Sequence, residues 1–101
     1  MRRLARQAGD AAQLLKLLGN EKRLLILCYL AVRGEMTVGD ILNVIDISPS
    51  ALSQHLARLR AHGLVATRRE AQAVHYRLAD GLVRALMDTL HGIYCAPRRK
   101  R

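Results

Sequence analysis

The sequence predicts a mostly α-helical domain with one small β-hairpin, and three observations carry that class. Apolar residues recur at helical spacing through most of the chain. Strand-like alternation is confined to two neighbouring stretches, residues 64–69 and 74–78, with Glu70 to Ala73 as the hairpin tip between them. The length, 101 residues of which half are hydrophobic, suits one folded domain spanning residues 1–101 and argues against disorder.

Taken in order, Leu4 to Leu18 reads as an amphipathic helix closed by Gly19. Asn20 then caps a second helix, with Glu21 in its first turn, that runs to Gly34. This helix is apolar almost all round, which marks it as the buried centre of the domain. Thr37-Val38-Gly39-Asp40 has the spacing of a capping box and opens a short helix to about Ile45. A turn at Asp46-Ile47 leads to Ser48, a good N-cap, and Pro49, which suits the first helical position because its missing N–H is not needed there. Gly63 ends that fourth helix as a left-handed C-cap. After the hairpin, a last helix from Asp80 carries Leu82, Val83, Leu86, Met87, Leu90, Ile93 and Tyr94.

The fourth helix is the most informative part of the chain. Leu52, Leu56 and Leu59 fall on one face, so Ser50, Ser53, Gln54, Ala57 and Arg58 project from the other. That outer face holds small residues, hydroxyls, an amide and a guanidinium, and no acid. Such groups can approach and hydrogen-bond base edges and phosphates. A bland solvated helix more often carries Glu and Lys outward. Helix, tight turn, helix is the helix-turn-helix arrangement, whose second helix enters the major groove. A hairpin directly after it is a wing, and Arg68, Arg69 and Arg77 on that wing are placed to meet phosphates. The plainer use of these arginines is to keep an edge hairpin soluble. Ser48, at the groove-facing end of the fourth helix, joins the DNA-binding set beside its capping role.

Charge agrees with this. The chain has 17 Lys and Arg against 8 Asp and Glu, a formal net charge of +9. Double-stranded DNA is the partner this implies, with affinity dominated by phosphate contacts and strongly salt dependent. No apolar run approaches the roughly 20 residues of a membrane-spanning helix. The Arg-rich start lacks a following apolar core, so it reads as part of a helix and the expected location is cytoplasmic. An enzyme is disfavoured: no nucleophile–histidine–acid set, Gly-rich phosphate loop or paired catalytic carboxylates appear. His55, His62, His75 and His91 are scattered, and no cofactor is implied.

The last helix has a wider apolar stripe than a small winged domain needs for its own core. A helix–helix contact with a second copy, shared with the N-terminal helix, is its natural use. Two-fold symmetry then sets two recognition helices about one DNA turn, ~34 Å, or a multiple of it apart. The basic tail at about 97–101, after Pro97, is expected to be flexible.

Leu17-Leu18-Gly19-Asn20-Glu21-Lys22-Arg23-Leu24, Ser53-Gln54-His55-Leu56-Ala57-Arg58-Leu59, Gly63-Leu64-Val65 and His75-Tyr76-Arg77-Leu78 together resemble the ArsR-type winged helix-turn-helix repressors of bacteria, over nearly the whole chain. The resemblance implies a homodimer that represses transcription until an inducer releases it from an inverted-repeat operator. It also implies Ser50, Ser53, Gln54, His55 and Arg58 as the DNA-reading residues. Many such repressors hold metal through a C-x-C pair; the matching positions here are Thr37, Val38 and Gly39, so that site is absent. Others bind zinc between the paired last helices. Asp88 and His91 stand at i, i+3 there without the second pair of ligands a zinc site needs.

The chain has two cysteines. Cys28 lies in the apolar second helix, where a cysteine is often only a small hydrophobe. Cys95 follows the last helix and precedes a basic run; nearby Arg and Lys favour its thiolate, while the helix C-terminal dipole opposes it. In a cytoplasmic protein such a pair is not a structural disulfide by default. Available to react reversibly, it is a redox or sulfur switch. Leu24-Leu25-Ile26-Leu27-Cys28 and Ile93-Tyr94-Cys95-Ala96-Pro97 also look like the persulfide-sensing branch of the family, the biofilm-growth-associated repressor type. That likeness implies Cys28 and Cys95 of one protomer joined by a bridge of sulfur atoms, with reactive sulfur species as the inducer. Two alternatives stay open: a metal-responsive repressor using Cys28, Cys95 and His91, and an architectural DNA binder with no inducer.

Overall fold

The computed structural model describes residues 2–95, the side chain of Cys95 excepted, so the basic tail expected at 97–101 lies outside the described residues. Helix α1 (Arg2–Leu18) is followed by α2 (Glu21–Arg33), strand β1 (Glu35–Thr37), α3 (Val38–Val44) and α4 (Pro49–Ala61). The wing strands are β2 (Val65–Glu70) and β3 (Ala73–Leu78), and α5 (Leu82–Leu90) runs into a π-helical turn, His91–Cys95. This is a winged helix-turn-helix.

Local chemistry sets the ends of α2, α3 and α4 close to where the sequence put them, while α5 starts at Leu82, after Gly81, rather than at Asp80. Asn20 Oδ1 accepts from the Arg23 N–H at 3.0 Å and starts α2. At α3 both halves of the capping box form: the Asp40 N–H donates to Thr37 Oγ1 at 3.1 Å, and the Thr37 N–H to Asp40 Oδ2 at 2.9 Å. Ser48 Oγ takes the Ala51 N–H at 3.1 Å, with Pro49 in the first turn. The far end of α4 is a Schellman closure. Gly63 sits at φ +75°, its N–H reaches the Arg60 carbonyl at 3.0 Å, and the Leu64 N–H reaches that of Leu59 at 2.9 Å. Leu59 and Leu64 are both buried, the apolar contact that accompanies this motif.

The wing is larger than the two-stranded hairpin expected. Three strands form an antiparallel sheet in the order β1-β3-β2, with Met36 opposite Tyr76 and Thr67 opposite Tyr76 from the other side. A three-residue strand is too short to show alternation, so β1 left no sequence signal. It is held by Met36, whose buried side chain anchors it to the core. The hairpin turn is also tighter than expected. Glu70 pairs with Ala73, leaving Ala71 and Gln72 as a two-residue loop, with Ala71 at φ +56°.

The core joins Ile26, Leu27 and Leu30 of α2 to Ile41, to Leu52, Leu56 and Leu59 of α4, and to Leu78, Val83 and Met87. Fully burying one such side chain contributes roughly 1.5–3 kcal/mol. This cluster fixes α4 with its polar side outward. Helix α2 is central, packing against α1, β1, β3 and α5, yet it is not buried all round: Leu25 borders solvent and Val32 is 65% exposed. Only the last turn of α1, Leu17 and Leu18, enters the core, while Leu4 and Leu15 stand exposed. Leu82, Ile93 and Tyr94 are exposed at the other end of the chain.

Candidate nucleic-acid interface and thiol site

The outer face of α4 is as the leucine spacing requires. Ser50, Ser53, Gln54, Ala57 and Arg58 are exposed, and the three leucines beneath them are buried. Ser48 is exposed too, with its hydroxyl oxygen engaged by the Ala51 N–H as the cap. His55 is half-buried on the flank of the helix. Burial, then the charges of Arg23 and Arg58, hold its imidazole below the ordinary pKa, which favours the neutral ring. The turn before α4 is tied back to α2 by Lys22, whose Nζ donates to the Asp46 carbonyl at 2.7 Å. Nothing in the sequence pattern singled out Lys22, because its partner is a backbone oxygen 24 positions away.

On the wing, strand register separates the three arginines. Arg68 and Arg77 stand on one face with His75, Glu35 and Thr37, and Arg69 stands on the other with Val74 opposite. Arg68 is paired with two acids, Glu35 at 2.7 Å and Glu70 at 3.1 Å. Arg77 is half-buried, and its Nη1 reaches the Leu78 carbonyl at 3.4 Å. Arg69 is exposed. Glu35, whose carboxyl is held below the usual range chiefly by the Arg68 hydrogen bond, is a further residue that the sequence did not reveal.

Cys28 is half-buried on α2. Two apolar hollows flank it. One, of about 210 Å³, is lined by Leu25, Tyr29 and Val32, and the other, of about 220 Å³, by Leu24, Leu90, His91 and Tyr94. His91 and Tyr94 lie on the π-helical turn that ends at Cys95, so the two chain segments that carry the thiols meet at this hollow. The Cys95 side chain itself lies outside the described residues. Asp88 and His91 share a third hollow with Ala31 and Val32. Among the described residues no three His, Cys, Asp or Glu side chains cluster as a metal site would need. Among those residues, too, no helix is long and apolar enough to cross a membrane.

Residues 20–67, the span from the α2 cap into β2, match the profile of the bacterial regulatory proteins of the arsR family. The chain is 45% identical over 95 residues to the transcriptional activator HlyU of Vibrio cholerae, covering 94% of this chain and 87% of that one. It is 43% identical to the biofilm growth-associated repressor of Agrobacterium fabrum, covering 93% and 80%. Among solved structures, reduced HlyU from Vibrio cholerae superposes with a TM-score of 0.88, covering 95% of this chain and all of that one. The transcriptional repressor BigR from Xylella fastidiosa, 36% identical, superposes at 0.86, covering 99% and 98%.

Proposed function

The chain belongs to the ArsR family of bacterial transcriptional regulators, and from that premise we propose that it is a homodimeric repressor whose Cys28–Cys95 pair senses reactive sulfur and releases an inverted-repeat operator. The observation that carries the sensing step is the meeting of the Cys28 helix with the turn ending at Cys95 around one apolar hollow. Exposed apolar residues at both chain ends, Leu4 and Leu15 on α1 and Leu82, Ile93 and Tyr94 around α5, support pairing of two copies through those helices. In the paired protein each α4 presents Ser50, Ser53, Gln54 and Arg58 to a major groove, with His55 on the flank and Arg69 and Arg77 at the adjoining phosphates. Arg68 reaches DNA by exchanging its acid partners for phosphate.

A Cys28 or Cys95 thiolate attacks the terminal sulfur of a persulfide, R–S–SH, and the R–S⁻ thiolate leaves, giving Cys–S–SH. When both cysteines are so modified, one persulfide attacks the other, forming Cys–S–S–S–Cys and releasing hydrogen sulfide. A plain disulfide requires Cα atoms within about 4.4–6.8 Å. A longer bridge relaxes that requirement, which gives a geometric reason for preferring persulfide over peroxide. The bridge ties α2 to the end of α5 and changes the freedom of the two recognition helices relative to each other.

Intact mass of the reduced protein after separate exposure to glutathione persulfide, hydrogen peroxide and zinc tests this. The expected result is a bridged product with one sulfur gained, two hydrogens lost and both thiols blocked; Cys28→Ser and Cys95→Ser can take up sulfur on the remaining thiol but form no bridge. Loss of two hydrogens with peroxide makes it a general thiol switch instead. A retained zinc ion without covalent change favours the metal-responsive alternative, for which His91 beside Cys28 would be a ligand.

A further inference from the structure

Lys16, Arg23 and His62, gathered beside α4, have no part in the proposed mechanism. Gln13, Lys16 and Leu17 of α1, Arg23 of α2, and Arg58 and His62 of α4 line a hollow of about 270 Å³. Arg23 and Arg58 also line the neighbouring hollow, of about 410 Å³, with Gln54, His55 and Ala57. Arg23 and Arg58 border both hollows, so the cations form one basic strip from the exposed face of α4 to the end of α1, an open trough. Three of its side chains are a lysine and two arginines, Lys16, Arg23 and Arg58. Among the described residues every side-chain ion pair lies on the three-stranded sheet, between Arg68 or His75 and Glu35 or Glu70. Among the described residues no carboxylate comes within 4 Å of the Lys16, Arg23 or Arg58 side-chain nitrogens.

Arg23 is aimed rather than loose. Its Nε donates to the Leu17 carbonyl at 2.7 Å while its backbone N–H is held by Asn20. That bond fixes the planar guanidinium at the junction of α1, α2 and α4 and leaves its two terminal nitrogens as donors. The unneutralised field is felt at His55, whose proton affinity the charges of Arg23 and Arg58 lower in addition to burial.

We propose that Lys16, Arg23, Arg58 and His62 form a phosphate clamp that grips the DNA backbone flanking the groove read by α4, so that the end of α1 and the start of α2 extend the DNA footprint beyond the helix-turn-helix and wing. This rests on the chain being a DNA-binding protein. A site for a small anionic effector is typically a concavity that buries most of its ligand. Here the cations stand side by side along an open trough that is continuous with the DNA-reading helix, which fits a polyanion.

Lys16 is exposed and makes no side-chain hydrogen bond or ion pair among the described residues, so Lys16→Ala and Lys16→Glu leave the fold intact. The test is the full-length protein's affinity for a duplex it selects from a random pool and for an unrelated duplex, across a series of KCl concentrations. Wild type binds both in a salt-dependent way; failure of that control would refute the DNA-binding premise, separately from the clamp. For Lys16→Ala the expected loss is several-fold and equal on both duplexes, with the log–log salt slope shallower by about 1.8, one phosphate contact being lost from each protomer of the dimer. Lys16→Glu loses more. Unchanged affinity and slope in both variants overturn the clamp. So does a thermal shift of wild type by pyrophosphate that Lys16→Ala abolishes while its DNA binding stays intact, since that result assigns the trough to a small anion.

Discussion

Arg68 and Glu35 lie 33 positions apart in the chain and meet face to face across the wing, with Arg68 Nη2 2.7 Å and Nε 3.1–3.2 Å from the carboxylate oxygens. They sit on the two edge strands, β2 and β1, with β3 between them. The pair therefore clasps the sheet over its middle strand and joins the wing to the segment that leads into α3. It also holds the Arg68 guanidinium in the absence of DNA.

Removing this clasp makes wing stability respond differently to pH. The Glu35 carboxyl is held below 4.5, first by the Arg68 hydrogen bond. A lowered folded-state pKa stabilises above the unfolded value and is lost as pH falls through the folded value. Glu35→Gln is expected to melt below wild type at pH 7, with the gap narrowing as pH falls below 4.5. Thermal melts followed by circular dichroism across pH 3–7 check it, and a gap that does not change with pH would contradict the assignment.

The hairpin turn stores strain at one residue. Ala71 holds φ +56°, a region that costs a residue with a Cβ about 1–2 kcal/mol and costs Gly little. Ala71→Gly should stabilise the domain by about 0.5–1 kcal/mol after the extra chain entropy of Gly is subtracted. Urea unfolding measures this; a destabilised variant would mean that the turn is not strained.

Seating of α4 depends on its buried leucines. Leu56→Ala removes a side chain that is 2% exposed and is expected to cost about 2–5 kcal/mol. Its DNA affinity should fall on every sequence at temperatures where the variant is partly unfolded, and recover on cooling. A variant as stable as wild type would show that α4 is held elsewhere.

Sequence reading by α4 predicts a different pattern. Gln54→Ala leaves the core untouched and should weaken binding to the selected duplex by about 1–3 kcal/mol, roughly 5- to 150-fold, with little change on unrelated DNA. An equal loss on both would make Gln54 a phosphate contact rather than a reader.

Much of this was legible in the chain because it is written in local chemistry. Asn20, Thr37 with Asp40, Ser48-Pro49 and Gly63 each set a boundary through neighbours within three residues, and the Leu52–Leu56–Leu59 stripe orients α4 without any distant partner. What escaped is what depends on distant pairing. Strand β1 exists because Met36 packs into the core and Glu35–Thr37 finds β3 some 40 positions later. Glu35 is bound by an arginine on another strand, and Arg23 becomes a directed donor only because the Leu17 carbonyl ends α1 beside it. The exposure of Leu25 and Val32 on α2 was hidden for a related reason: an apolar helix looks alike in sequence whether or not the rest of the chain covers its last face.

The proposed control of DNA affinity by sulfur chemistry at Cys28 and Cys95 has a direct readout. Fluorescence anisotropy of the selected duplex, titrated with reduced and with glutathione persulfide-treated protein, tests it most directly. Treatment is expected to lower affinity at least tenfold, an effect restored by reductant and absent from Cys28→Ser and Cys95→Ser. Equal affinity before and after treatment, with both thiols shown to be modified, would contradict it.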